Sequence, residues 1–209
     1  KLKDLEIYGK TLIIFTSDNG GANYIELEDI NKPYRGWKIS FFEGGIRVPY
    51  IVSWPDEINS GQKSDSPVHH FDIFSTIAAA AKVTPSNEKE IDGVNLLPFI
   101  KKEKLSQPHK TLFWRSGNHQ SVLHENWKYI ISKKENIRWL FDTSTDPLEK
   151  NNIIDIHPEE TNLIEGLLSK FNSEQKEPLF PSGYEVPILI DKYDGEQYVE
   201  GDEYIYWSN

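Results

Sequence analysis

An apolar, β-branched run that stops at an acid and an amide constrains this chain most: Thr11 to Thr16 reads TLIIFT, and Ser17-Asp18-Asn19-Gly20-Gly21 follows. The run has no polar alternation, which predicts a strand buried on both faces of an α/β sheet. In parallel α/β sheets ligands bind beyond the carboxyl ends of the strands, and Asp18 and Asn19 stand at such an end. A carboxylate and an amide carbonyl are hard oxygen donors suited to calcium or magnesium. Adjacent residues reach one ion only where the backbone turns, and Gly20-Gly21 permits the turn. Taken alone, Asp-Asn-Gly-Gly reads as a tight turn with no ligand. Two donors do not complete a calcium shell, which takes six or more oxygens.

The stretch from Ala22 to Gly45 reads as a long irregular loop, and loops of that length inside a compact domain are usually functional. It carries Lys38, whose compact charge and three donors suit an oxyanion. A lone loop lysine is otherwise solvated surface, and Arg35, Arg47, Arg115 and Lys128 carry the same plain reading, with Glu43 as a partner for Arg47. Trp37 either walls a pocket or packs beneath the loop.

Further organisation follows from periodicity. Lys1 to Tyr8 predicts a short amphipathic segment stopped by Gly9, Ile46 to Trp54 a second buried strand, and Phe71 to Lys82 a helix. Asp92 to Lys102 predicts a helical turn, and Glu103 to Lys110 a linker. From Thr111 short runs alternate with turn residues, which predicts an antiparallel sheet. Pro158 to Phe171 predicts an amphipathic helix with Leu163, Leu167 and Leu168 on one face, and the aromatic tail is expected to wrap over the body. The chain therefore divides near residue 105: residues 1–105 read as the later part of an α/β core, and residues 106–209 as a small antiparallel subdomain with one helix and an extended tail.

Composition closes off several functions. A formal net charge of −10 excludes broad affinity for nucleic acid or anionic lipid. No apolar stretch reaches the roughly 18 to 20 residues that span a bilayer. Cysteine is absent, which excludes disulfides and thiolate-bound zinc. Methionine is absent too, and a chain beginning Lys1-Leu2-Lys3 is expected to be a processed or trimmed piece.

The motifs TLIIFTSDNGG, PYRGWK, FFEGGIRVP, WP, HHFDIFST and IDGVNLLPFI occur in that order, followed by LFWR, ENWKYI and LFDTSTDPLEKNNI. Together they resemble the type I sulfatases of the alkaline-phosphatase superfamily from Thr11 to about Asn152. The resemblance implies an alkaline-phosphatase-like mixed or parallel sheet with helices, followed by a small antiparallel subdomain. It implies that Asp18 and Asn19 ligate calcium and that Lys38 contacts the substrate sulfate. Glu43, Gly44, Gly45, Arg47 and Pro49 fall in a segment that shapes the loop, and His70 in a structural position. His119 lies where that family brings a carboxy-terminal loop toward the substrate. It either reads the sugar or aryl group, with Arg115 and Trp37 beside it, or is an exposed hairpin histidine. Ser75 stands where proline is usual.

The family's nucleophile is a formylglycine made in a Cys/Ser-X-Pro-X-Arg motif, and no such motif occurs here. Ser106-Gln107-Pro108-His109-Lys110 lacks the arginine and follows the Asp-Asn pair instead of preceding it. The resemblance thus implies a sulfuric ester hydrolase acting on a sulfated carbohydrate, with its formylglycine and remaining calcium ligands upstream, and an inactive 209-residue piece. In such an enzyme hydrated formylglycine attacks sulfur, the alcohol leaves, and the hemiacetal sulfate collapses. A phosphodiesterase or phosphonate monoester hydrolase of the same superfamily, a glycan-binding module without catalysis, and one half of a split enzyme are the rival readings. A periplasmic, secreted or lysosomal location follows from the family alone.

Overall fold

A computed structural model describes residues 1–86, 90–177, 179–180 and 185–208. The chain divides into two compact units, one of residues 1–16 and 49–110 and one of residues 17–48 and 111–209. One boundary between the units falls at residue 110. Residues 17–48, however, group with the carboxy-terminal unit instead of with the first 105, because their buried side chains find partners there.

In the first unit β1 (Ile13–Thr16) pairs antiparallel with β2 (Tyr50–Ser53), Phe15 opposite Ile51. The sequence predicts burial on both faces, but Phe15 and Ile51 are 63% and 58% exposed. Leu12, just before β1, and the strand residues Ile14 and Thr16 line a cleft with Ile73, Ile77, Ala80 and Ala81 of helix α2 (Asp72–Ala80) and its end. Only one face of the ribbon is covered, so alternate side chains differ in fate. Residues 1–8 form turns and no helix, with Leu5 N donating to the Lys1 carbonyl at 3.1 Å.

Asp72 fixes the start of α2 from a fully buried position. Its carboxylate reaches back to His69 N (2.8 Å) and also accepts Val94 N (2.9 Å) and His109 Nε2 (2.9 Å). His70 Nε2 meets the Thr16 hydroxyl at 3.2 Å, a structural place. A short helix, α3 (Leu97–Ile100), follows in this unit, and α1 (Glu43–Ile46) is a single helical turn of the second unit.

The second unit is built on a four-stranded antiparallel meander, β3 (Thr111–Ser116), β4 (His119–His124), β5 (Trp127–Ser132) and β6 (Ile137–Asp142). Alternation sorts its side chains. Val122, Tyr129 and Leu140 face helix α4 (Pro158–Glu174) and its buried Ile164 and Leu168. Ile130, Trp139 and Phe141 face the other way, onto Phe42 and onto Ile188, Ile190 and Ile205. The last residues supply a ribbon of β7 (Glu185–Leu189) and β8 (Tyr204–Ser208), where the sequence predicts only a wrapping tail. The apolar stripe of α4 is Ile164, Leu168 and Phe171, whereas the predicted Leu163 is 54% exposed.

Burial pushes the Asp72 pKa up, but the hydrogen bonds from His109, His69 and Val94 outweigh it and hold the carboxyl below its ordinary 3.8. A depressed carboxylate stabilises the fold above its unfolded pKa, and that contribution is lost as pH falls through the folded value. Asp72→Asn should therefore cost about 1.5–3 kcal/mol near neutral pH, with the gap to wild type closing in acid. Urea melts across the pH range check this, and equal midpoints at neutral pH would refute it.

Candidate active site

The turn after β1 is stitched to the long loop by backbone. Gly20 N donates to the Gly45 carbonyl at 2.9 Å, and Lys38 N donates to the Gly21 carbonyl at 2.8 Å. Gly44 N closes the loop on the Arg35 carbonyl at 2.7 Å. These bonds set Asp18, Asn19 and Lys38 on one small piece of backbone although twenty residues separate them in sequence. Gly20 is required by space: a Cβ there would sit 1.7 Å from the Gly44 carbonyl oxygen. Gly36 is required by conformation, with φ of +84° just before Trp37.

Asn31 completes the stitching, and the sequence reading misses it. Its side-chain oxygen accepts Gly21 N at 2.7 Å, and its Nδ2 donates to the Gly21 and Gly36 carbonyls at 2.9 and 3.0 Å. The available signal was an asparagine beside Lys32-Pro33, a turn former inside the loop. Ser40 then fixes the turn around Lys38 by donating its hydroxyl to the Trp37 carbonyl at 2.8 Å.

Asp18 is exposed, and Asn19 turns its Nδ2 to the Gly20 carbonyl at 2.8 Å, which leaves its Oδ1 as the hard donor. Lys38 is half-buried and, among the described residues, forms no ion pair. Asp18 and Asn19 fit part of a calcium shell by donor chemistry. Among the described residues no group of three or more His, Asp or Glu is placed to hold a metal ion.

The other candidates lie differently. Trp37 is 7% exposed, with its indole N–H buried and, among the described residues, without an acceptor, so it packs under the loop and offers no open ring face. His119 is 3% exposed inside β4, its Nε2 likewise without a partner among the described residues; it is neither an exposed hairpin histidine nor open to a ligand. Burial depresses its pKa against the pull of Glu135 and Glu185. Arg115 donates to the Lys176 carbonyl at 2.7 Å. No hydrogen bond among the described residues joins Arg115 or His119 to the 17–48 loop.

The cations read as solvated surface include two that are not. Lys128 is fully buried, 2.6 Å from Glu43 Oε1 and 2.8 Å from Glu149 Oε1. Burial lowers its pKa, but the two carboxylates outweigh it and raise the value above the ordinary 10.5. Burial likewise opposes ionisation of Glu43, and Lys128 and Arg47 overcome it. Glu149 is pushed up, because burial and the charge of Glu43 outweigh Lys128. Arg35 forks onto Asp191 at 2.7–3.0 Å and also reaches Glu203. Arg47 does pair with Glu43, at 3.2 Å.

Residues 1–83, which include β1, the Asp18-Asn19 turn and Lys38, match the Sulfatase family model. The chain belongs to the sulfatase family. It is 39% identical to human steryl-sulfatase over 119 residues, covering 54% of this chain and 20% of that protein. It is 30% identical over 188 residues to N-acetylgalactosamine-6-O-sulfatase of Bacteroides thetaiotaomicron, covering 76% of this chain and 35% of the relative. The solved structure of Ps i-CgsB superposes with a TM-score of 0.75 at 26% identity, over 86% of this chain and 40% of the other. The fold is thus the mixed α/β, alkaline-phosphatase-like fold of the sulfatases. The chain spans only a fifth to a third of the length of these two curated relatives. No helix among the described residues is long and apolar enough to cross a membrane.

Gly20→Ala should break the stitch at its tightest point. The added methyl must displace the Gly44 carbonyl, at a cost of about 1–3 kcal/mol or more. Loss of slow amide exchange at Gly20 and Lys38 is the expected readout, and unchanged exchange would count against this packing.

Proposed function

We propose that this chain supplies the sulfate-facing loop and part of the calcium shell of a sulfuric ester hydrolase. The observation that supports the reading is the Lys38 N to Gly21 carbonyl bond, which ties the backbone of Lys38 to the turn that carries Asp18 and Asn19. Lys38 would bind and orient the sulfate group and stabilise negative charge growing on its oxygens and on the leaving oxygen. Asp18 and Asn19 would hold calcium with donors from outside these 209 residues. Bound there, calcium would neutralise part of the sulfate charge and polarise the S–O bonds. Asn31, Ser40 and the glycine contacts keep the loop in the geometry that this binding needs.

The nucleophile is not among these residues, since the chain has no cysteine and no Ser-X-Pro-X-Arg sequence. A formylglycine in the same polypeptide or in a separate chain would supply it, and the 209 residues alone would be inactive on sulfate esters. The substrate class best supported is a sulfated carbohydrate. The names N-acetylgalactosamine-6-O-sulfatase and neocarrahexaose attach to matched proteins and point to sugars, whereas steryl-sulfatase points to a sterol. A location outside the cytoplasm is part of the same proposal by family analogy.

In an enzyme complete with the formylglycine segment, Lys38→Ala should lower kcat/KM for a sulfate ester by about 10²–10³-fold. Parallel assays on an aryl sulfate and an aryl phosphodiester read the reaction class. Turnover within a few-fold of wild type would remove Lys38 from the site, and a preference for the phosphodiester would replace sulfatase by its superfamily rival.

A further inference from the structure

The loop that carries Lys38 is gripped at both ends by the meander and the residues around it. At its leading end Arg35 donates from Nη1 to the Glu149 carbonyl at 3.2 Å, and its guanidinium lies 4.9 Å from the ring of Phe42. At its trailing end Glu43 N donates to Glu149 Oε2 at 2.6 Å, at the start of α1. Phe42 between them meets Trp139 edge-on at 5.4 Å and Phe141 at 6.1 Å. Lys128 binds the second oxygen of Glu149 and one oxygen of Glu43. Glu149 hydrogen-bonds both ends from outside the loop, through its carbonyl to Arg35 and its carboxylate to Glu43, and so backs the direct Gly44 N to Arg35 carbonyl bond. It is fully buried and sits at a φ of 55°, in the left-handed region that a glutamate enters only when its surroundings hold it there.

We propose that Glu149 is the positioning residue of the Lys38 loop: it spaces Arg35 from Glu43 and thereby sets where the Lys38 ammonium stands. It would act through the loop and touch neither sulfate nor calcium. The idea rests on the reading of Lys38 as the sulfate contact. A buried ion cluster with a purely stabilising role predicts a uniform loss of stability on removal. A positioning role predicts a loss concentrated in residues 35–45 and reversed by a side chain that still accepts the Glu43 N–H.

The test uses the 209-residue chain with Glu149→Ala, Glu149→Gln and Lys38→Ala. Amide exchange at Lys38 and Gly44 should quicken at least tenfold in Glu149→Ala, stay within threefold of wild type in Glu149→Gln, and be unaffected at Gly44 in Lys38→Ala. The amides of β3 and β4 should hold within twofold throughout. In the enzyme complete with the formylglycine segment, the sulfate concentration that half-protects the Lys38 amine from acylation should rise at least fivefold in Glu149→Ala and recover in Glu149→Gln. Loop exchange within twofold of wild type in Glu149→Ala overturns the proposal. If that variant loses protection across β3 and β4 as well, the decision passes to Arg35→Gln, whose acid partners Asp191 and Glu203 are partly exposed. Selective loosening of the loop there supports the proposal, and unchanged exchange overturns it. Failure of sulfate to protect wild-type Lys38 would sink the functional reading separately, because the exchange readout does not depend on sulfate.

Discussion

Everything around the candidate site depends on one buried cation. Lys128 sits on the inner face of β5, fully excluded from solvent, and a lysine there costs several kcal/mol unless carboxylates and hydrogen bonds compensate. Glu43 and Glu149 supply that compensation from two remote stretches of chain. Because Glu43 belongs to the loop and Glu149 to the turn after β6, the ion cluster fixes the loop onto the meander. This is why residues 17–48 group with the carboxy-terminal unit and not with the strand that precedes them. The apolar wedge of Phe42 against Trp139 and Phe141 acts at the same place, so hydrophobic burial and charge pairing select one docking.

The parts of the fold that were legible are those decided locally. The four strands of the meander are marked by Ser116-Gly117-Asn118, Glu125-Asn126 and Lys133 to Asn136, and the structure turns at each. Helices over residues 72–80 and 158–174 follow from composition and period. What failed were judgements of phase and partner. Leu163, Leu167 and Leu168 are all apolar, but the helix buries the row through Ile164, because that row meets Val122, Tyr129 and Leu140. The TLIIFT run announces apolar surroundings, yet only one of its faces has a cover within these residues. The ribbon of the tail was hidden by Pro187 and by the acidic residues between its strands, and its pairing is long-range.

The site was legible as a joint pattern and opaque residue by residue. Asp18, Asn19 and Lys38 could be named because several motifs occur in one order, whereas each alone reads as turn or surface. Lys128 offered a signal that went unused. In Trp127-Lys128-Tyr129-Ile130 it shares a strand face with Ile130, so an apolar environment and an acidic partner were implied by alternation. Which acid would meet it could not be read, since Glu43 lies 85 residues away. The burial of Trp37 and His119 is equally a product of tertiary packing, which gives no trace in local composition.

The charge pattern of the loop adds an argument of its own for the site. Arg35, Glu43, Arg47, Lys128 and Glu149 neutralise one another or find partners in Asp191 and Glu203. Among the described residues Asp18 and Lys38 form no ion pair, and neither do Glu26 and Glu28 of the same loop, so the lack of a partner does not by itself mark a site. A site for a dication and a sulfate ester needs an unpaired carboxylate for the metal and an unpaired ammonium for the anion. The buried ion pairs hold the loop in place, and the exposed Asp18 and half-buried Lys38 meet that requirement of the proposed function.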